Sequence, residues 1–326
     1  MQTNLTSATT TSLERIEQDS SGWFNRIVRI EELRGLLIRH ARSDGTTPID
    51  GVLISRTEQA GMPSASMSGT VLALIAQGAK RIALGDRVYE YRAGQYLVAS
   101  VDLPVTGHFV EASRDLPALG FGLILHPAAV AEVLLRARPG DIPRASGTAP
   151  SGIAVSDASD ELLDAVIRLL RLLDNPRDLA VLAPLIKREI LWRVITGDQG
   201  ATVRGLGVAD SGLTHIARAV HWIRDHYTEA FRVEDIASMS GMSESAFYRN
   251  FQAVTAMSPI QFQKQIRLQE ARLRLATRPG DITGVGHSVG YDSPSQFSRE
   301  YRRQFGSPPS EDAARLHNPH PTKALP

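Results

Sequence analysis

One pattern is written twice in the last third of this 326-residue chain. Ile236-Ala237 is followed by Gly241, Ser243, Phe247, Arg249 and Phe251, and the run ends at Ser258-Pro259. Val285-Gly286 is followed by Gly290, Ser293, Phe297, Arg299 and Tyr301, ending at Ser307-Pro308. The first landmarks lie 49 residues apart and the phenylalanines 50, so the second copy has gained one residue in its turn. Each landmark has a mechanical reason. Ala237 and Gly286 let two steeply crossing helices approach closely. Gly241 and Gly290 fall where the chain leaves the first helix through a left-handed conformation. Ser243 and Ser293 suit N-caps, with Pro294 at the first helical position. The aromatic pairs at i, i+4 bury one face of the second helix. Each copy is a helix-turn-helix.

With those aromatics inside, Ser245, Tyr248, Arg249 and Gln252 of one unit face outward, as do Ser295, Gln296, Ser298, Arg299 and Arg302 of the other. Such side chains suit base edges and phosphates, with Arg249 and Arg299 as base readers and Arg302 or Arg303 on phosphate. Between the units, Ser258-Pro259 starts a helix that ends near Arg278-Pro279-Gly280, about 17 residues and roughly 25 Å long. A strut of that size suits two recognition helices set in major-groove segments one DNA turn apart, about 34 Å.

From His215 to Pro309 the chain resembles the DNA-binding domain of the AraC/XylS family of bacterial transcriptional regulators. The resemblance rests on Asp235-Ile236-Ala237, Gly241-Met242-Ser243, Phe247-Tyr248-Arg249-Asn250-Phe251, Arg267-Leu268 with Glu270-Ala271-Arg272, and Val289 through Phe297. It implies promoter DNA and RNA polymerase as partners. Two departures stand out: Thr255-Ala256 replaces the usual Thr-Gly, and Gly284 and Gly286 sit in the second unit's first helix. Interior glycine costs about 1 kcal/mol relative to alanine, so that helix is expected to be the softest in the domain.

Length and a hydrophobic content of 42% fit two folded domains. The formal charge is +1, but residues 211–310 carry 12 Arg and Lys against 9 Asp and Glu, while residues 1–210 carry 22 against 24. Eleven of those 12 cations are arginine, whose planar fork suits guanine and phosphate. The absence of cysteine excludes disulfides and thiol-based sensing. With no apolar run of membrane-spanning length and no signal-peptide pattern, a cytoplasmic protein is expected.

The first two thirds read as a helix with Trp23, Ile27, Ile30, Leu33 and Leu37, then short strands at 71–76, 81–84, 88–91, 95–99, 108–111 and 119–125. Gly85-Asp86 fits a two-residue hairpin, and Pro104 to Gly107 a longer bend. Helices follow at 127–135, 161–173 and 179–195. Strands of this spacing suggest a small barrel or sandwich. The stretches from Arg56 through Gly107 and from Ala183 through Leu191 are similar to the N-terminal domain of an AraC-family subgroup, which implies a cupin-like β-barrel. The expected fold class is therefore α+β: a cupin-like barrel with flanking helices, plus an all-α domain of two helix-turn-helix units joined by a long helix. The expected domains are 1–199 for effector binding or dimerisation, a glycine-rich linker at 200–212, the DNA-binding domain at 213–310 and a flexible tail at 311–326.

Tyr89, Tyr91 and Tyr96 are candidates for an aromatic effector pocket, since Tyr89 and Tyr91 alternate onto one strand face. A packed core or dimer surface is the competing role for each. A cupin-type metalloenzyme is the rival reading, but it needs several converging His and carboxylate ligands, and the strands offer only His108, with His126 just after. No hydrolase motif occurs, so no catalytic residue, metal or cofactor is expected. A second rival is an effector-independent DNA-binding protein whose barrel serves only to form oligomers, such as a homodimer.

Overall fold

The computed structural model describes residues 24–138, 140–143, 151–208 and 211–317. Helix α1, described over residues 24–40, lays Leu33 and Leu37 into the core. Arg26 ties it to the strands, donating to the Ala158 carbonyl at 2.6 Å and the Gly94 carbonyl at 3.0 Å. Trp23 lies outside the described residues. Among the described residues nine strands follow: β1 (Val52–Thr57), β2 (Ser64–Ser68), β3 (Val71–Gln77), β4 (Ala79–Leu84), β5 (Arg87–Arg92), β6 (Gln95–Ala99), β7 (Leu103–Glu111), β8 (Ala118–Ile124) and, after a helix, β9 (Ile153–Asp157).

They form two antiparallel sheets, ordered β1-β8-β3-β6-β9 and β2-β7-β4-β5. The expected barrel is thus not closed: the two sheets share one core but no strand, and a cleft stays open between them. The Gly85-Asp86 hairpin forms as expected, with Gly85 at φ +60°. Pro104 does not bend the chain. It lies within β7, opposite Met67 of β2 but beyond the stretch paired with β4, which begins at Thr106 opposite Ala83. One side of the backbone is free of ladder bonds there, so the missing N–H costs nothing.

Helices α2 (Pro127–Arg136), α3 (Asp160–Arg171) and α4 (Leu179–Thr196) cover the sheets. Ser159 caps α3, accepting from the Leu162 N–H at 3.2 Å, and the helix buries Leu162, Leu163, Val166, Leu169 and Leu170. The stretch expected to be a glycine-rich linker is instead helix α5 (Gly200–Gly207) over most of its length. Its glycines serve close packing: a Cβ on Gly207 would lie 2.8 Å from the Ala131 nitrogen of α2, and one on Gly200 would lie 2.1 Å from the Ile195 carbonyl oxygen.

The C-terminal region contains α6 (Gly212–Asp225), α7 (Val233–Met239), α8 (Glu244–Thr255), α9 (Pro259–Thr277), α10 (Ile282–Ser288), α11 (Pro294–Phe305) and α12 (Pro309–His317). A reciprocal capping box between Ser258 and Gln261 starts α9, whose 19 residues span about 28 Å. The segment expected to be a flexible tail from residue 311 begins inside α12. There Asp312, only 2% exposed, accepts from Arg272 Nε at 2.9 Å and from the Tyr301 hydroxyl at 2.8 Å. Residues 318–326 lie outside the described residues.

The two domains touch directly. The Gly152 N–H donates to the Val254 carbonyl of α8 at 3.0 Å, and Arg87 donates to the Ala253 carbonyl at 3.4 Å. Gln265 and Gln269 of α9 donate to the Pro104 and Val105 carbonyls of β7 at 3.5 and 3.4 Å. Asp102 pairs with Arg224 of α6 and lies 3.7 Å from His221 Nδ1.

Candidate nucleic-acid interface

The two turns are built alike. In the first, the Gly241 N–H donates to Ser238 at 2.9 Å and the Met242 N–H to Ala237 at 3.0 Å; in the second, the Gly290 N–H donates to His287 at 3.0 Å and the Tyr291 N–H to Gly286 at 3.1 Å. Gly241 and Gly290 take φ values of +70° and +92°, the left-handed region where a Cβ is costly. A Cβ on Gly286 would lie 3.0 Å from the Phe297 ring, which explains the departure from better helix formers there. At Gly284 it would press on the carboxylate of Asp281, the residue that caps α10.

The caps differ. Ser293 accepts from the Gln296 N–H at 3.3 Å, with Pro294 at the first helical position. Ser243 occupies the N-cap of α8 without a side-chain hydrogen bond. At the other end, Gly306 terminates α11 at φ +78°, whereas α8 ends on Ala256 at φ +58°, the one non-glycine residue with positive φ among the described residues.

Ser245, Tyr248, Arg249 and Gln252 are exposed on α8, and Ser295, Gln296, Arg299, Arg302 and Arg303 on α11; Ser298 is half-buried. Among the described residues no carboxylate lies within ion-pair distance of Arg249, Arg299, Arg302 or Arg303. Gln296 is partly engaged, its amide donating to Glu300 Oε1 at 3.2 Å. Burial works against ionisation of Glu300, yet donors on Lys264, Tyr291 and Gln296 hold its carboxyl below the ordinary value. Gln252 and Arg303 border a cleft of about 420 Å³ that also includes Gly85 and Asp86 of the β4–β5 hairpin.

A second set of polar residues, not singled out from the sequence as functional, sets the geometry of the two units. Arg267 of α9 donates to the Tyr227, Gly290 and Glu229 carbonyls at 2.6, 2.7 and 3.2 Å, tying the second turn to the end of α6. Arg274 donates to the Ser288 carbonyl at 3.0 Å and to the Tyr227 hydroxyl at 2.7 Å. Arginine count alone does not separate these inward guanidiniums from the outward ones. Helical position does: 267 and 274 recur at two-turn spacing on one side of α9.

The candidate effector tyrosines are dispersed. Tyr91 is buried in β5, where desolvation pushes its hydroxyl well above the ordinary value, and it lines a cavity of about 310 Å³ between the sheets. Tyr89 is half-buried against the core. Tyr96 belongs to the other sheet, and burial, with Asp198 nearby, raises its pKa to about 12. His108 lines the larger cleft between the sheets, and His126 occupies the N-cap position of α2 without a side-chain hydrogen bond to the helix. Among the described residues no group of three or more His, Asp or Glu side chains is arranged to hold a metal ion.

Comparison with known proteins agrees with this division of the chain. A family model described as the AraC-type transcriptional regulator N-terminus matches residues 48–202, and one described as a helix-turn-helix domain matches residues 236–315. The transcriptional activator RhaS of Escherichia fergusonii is 26% identical over 168 residues, 51% of this chain and 58% of RhaS. The uncharacterised regulator YdeC of Bacillus subtilis is 24% identical over 155 residues, 45% of this chain. The chain spans 58% and 50% of the lengths of those two relatives. Regulatory protein SoxS of Salmonella typhimurium is 32% identical over 101 residues, which are 31% of this chain and 94% of SoxS. In fold, the chain is similar to a crystal structure of apo ToxT from Vibrio cholerae, with a TM-score of 0.50 and 11% identity over 82% of this chain and 98% of that one.

Proposed function

Because the chain belongs to the AraC/XylS family of transcriptional regulators, we propose that it is a sequence-specific DNA-binding regulator controlled by a small organic effector in its N-terminal domain. The observation that carries the reading is the pair of like-built turns, each presenting an exposed recognition helix with an arginine at the equivalent position that has no ion-pair partner among the described residues. In this reading α8 and α11 enter successive major-groove segments. Arg249 and Arg299 read base edges, Tyr248, Ser245, Gln252, Ser295, Gln296 and Ser298 adjust specificity, and Arg302 and Arg303 hold phosphate. The protein acts in the cytoplasm at promoters together with RNA polymerase. No helix among the described residues is long and apolar enough to cross a membrane.

Direct contact between the domains supports a signalling route through β7 and α9 and through Asp102–Arg224. Those bonds reach the DNA-binding domain without passing through α5.

The test is genome-wide mapping of bound sites, followed by anisotropy titration of the recovered sequence. Two half-sites about one helical turn apart are expected. Arg249→Ala and Arg299→Ala should each cost roughly 1–3 kcal/mol and relax preference at a single base position in separate half-sites. Binding without sequence preference, or variants that leave affinity and preference unchanged, would overturn the reading.

A further inference from the structure

Lys80 is a cation that the DNA-binding reading leaves unused. In β4 it stands opposite Tyr91 of β5 and Phe109 of β7, so the three side chains share one face of their sheet. That face borders a cleft of about 620 Å³ between the two sheets, walled by Leu53, Val71, Ile82, Phe109 and Ile124. The 310 Å³ cavity that reaches Tyr91 shares Lys80 and Phe109 with it.

Among the described residues Lys80 Nζ has no hydrogen-bond or ion-pair partner; it lies 5.3 Å from the centre of the Phe109 ring. No Asp or Glu lines the larger cleft, where His108 is the other titratable group. Asp44 borders the smaller cavity, but Thr46 donates to both of its carboxylate oxygens. A lysine that merely covers apolar surface carries its ammonium out to water. Here burial lowers the Lys80 pKa, the signature of a charge short of solvent. An anion delivered to such a site interacts more strongly than one at the surface.

We propose that this cleft binds a small organic carboxylate with an apolar body, its carboxylate on Lys80 Nζ and its body against Phe109, Val71 and Ile82. The volume suits a small-molecule site, mostly apolar with few polar anchors. This rests on the reading of the N-terminal domain as an effector domain. Val105 also lines the cleft and accepts from Gln269 of α9, so an occupant would press on a strand bonded to the DNA-binding domain.

The experiment titrates the full chain, by calorimetry, with monocarboxylates of about six to ten carbons, aliphatic and aromatic, beside their primary amides. At least one acid should bind, more tightly than its amide. Lys80→Met should weaken that acid roughly tenfold or more, the size of one charge-assisted hydrogen bond, and Lys80→Arg should recover part of the loss. On the unaltered protein, the bound acid should slow acetylation of Lys80 but not of Lys187 or Lys264, a readout that does not depend on a variant folding. Amides binding as well as acids, or an acid whose affinity ignores Lys80→Met in a folded variant, would overturn the carboxylate assignment and leave the effector reading standing. No binding in either series would likewise overturn the carboxylate assignment, and the effector reading would then be tested by its own screen.

Discussion

The two helix-turn-helix units share a backbone plan but sit in different surroundings. Phe247 and Phe251 of the first unit, with Phe262 at the start of α9, belong to the same continuous core as the sheets. Phe297 and Tyr301 of the second belong to a separate core with Leu268, Leu275 and Ala313. The end of α8 is bonded to the N-terminal domain through Gly152 and Arg87, whereas α11 is braced by α9 and α12 through Glu300 and Asp312. One duplicated pattern has therefore produced a unit bonded directly to the N-terminal domain and one braced chiefly by α9 and α12. Packing surroundings, rather than the motif, divide the labour.

The most severe way to break this comparison is Asp312→Ala. It strands Arg272 and the Tyr301 hydroxyl, and losing one member of a buried charged network costs about 3 kcal/mol. Hydrogen exchange should show the loss confined to α9–α12, with protection of the sheets and of α8 retained; uniform loss would mean the two cores unfold as one. Next in size is Ala256→Gly. The left-handed cap strains an L residue, so glycine should stabilise the first unit by about 1 kcal/mol, raising its thermal midpoint until the ends of α8 and α11 match. An unchanged or lowered midpoint would show the strain is offset elsewhere. The smallest effect on stability is expected from Asp102→Asn. Arg224 is 38% exposed although Asp102 is only 13% exposed, so solvent screens the pair from one side and it should contribute about 1 kcal/mol to folding. It should nevertheless loosen α6 from the sheets and reduce any effect of effector on DNA affinity. Undiminished coupling would move the signalling route to β7 and α9.

Much of the recognition unit was legible in the chain. Gly241, Gly290, Ser293 and Pro294 act on the backbone within a few residues, so their spacing reports the turn directly. The strands from β3 to β8 are readable for the same reason, through runs of β-forming residues and the Gly85 hairpin, although β7 extends back across Pro104. Strands β1, β2 and β9 were not seen, nor was α5, whose glycines read as a loose joint until the helix surface against them was known. Asp312 falls in what reads as a tail, and the arginines holding the units together are separated from those free to meet DNA by helical position, not by residue type. Lys80 does not stand out in the chain, because a single lysine in a strand carries no sign of its surroundings.

By itself the amino-acid order determined the helix-turn-helix elements, their duplication and the outward polar faces of α8 and α11, because these depend on periodicity and on turn residues acting over a few positions. Tertiary structure alone decided that the sheets stay open around Lys80, that Asp102 reaches Arg224, and that one helix-turn-helix unit shares the core of the N-terminal domain while its twin does not. Those outcomes rest on contacts between residues more than a hundred positions apart, or on the volume left between sheets, and neither leaves a local mark on the chain.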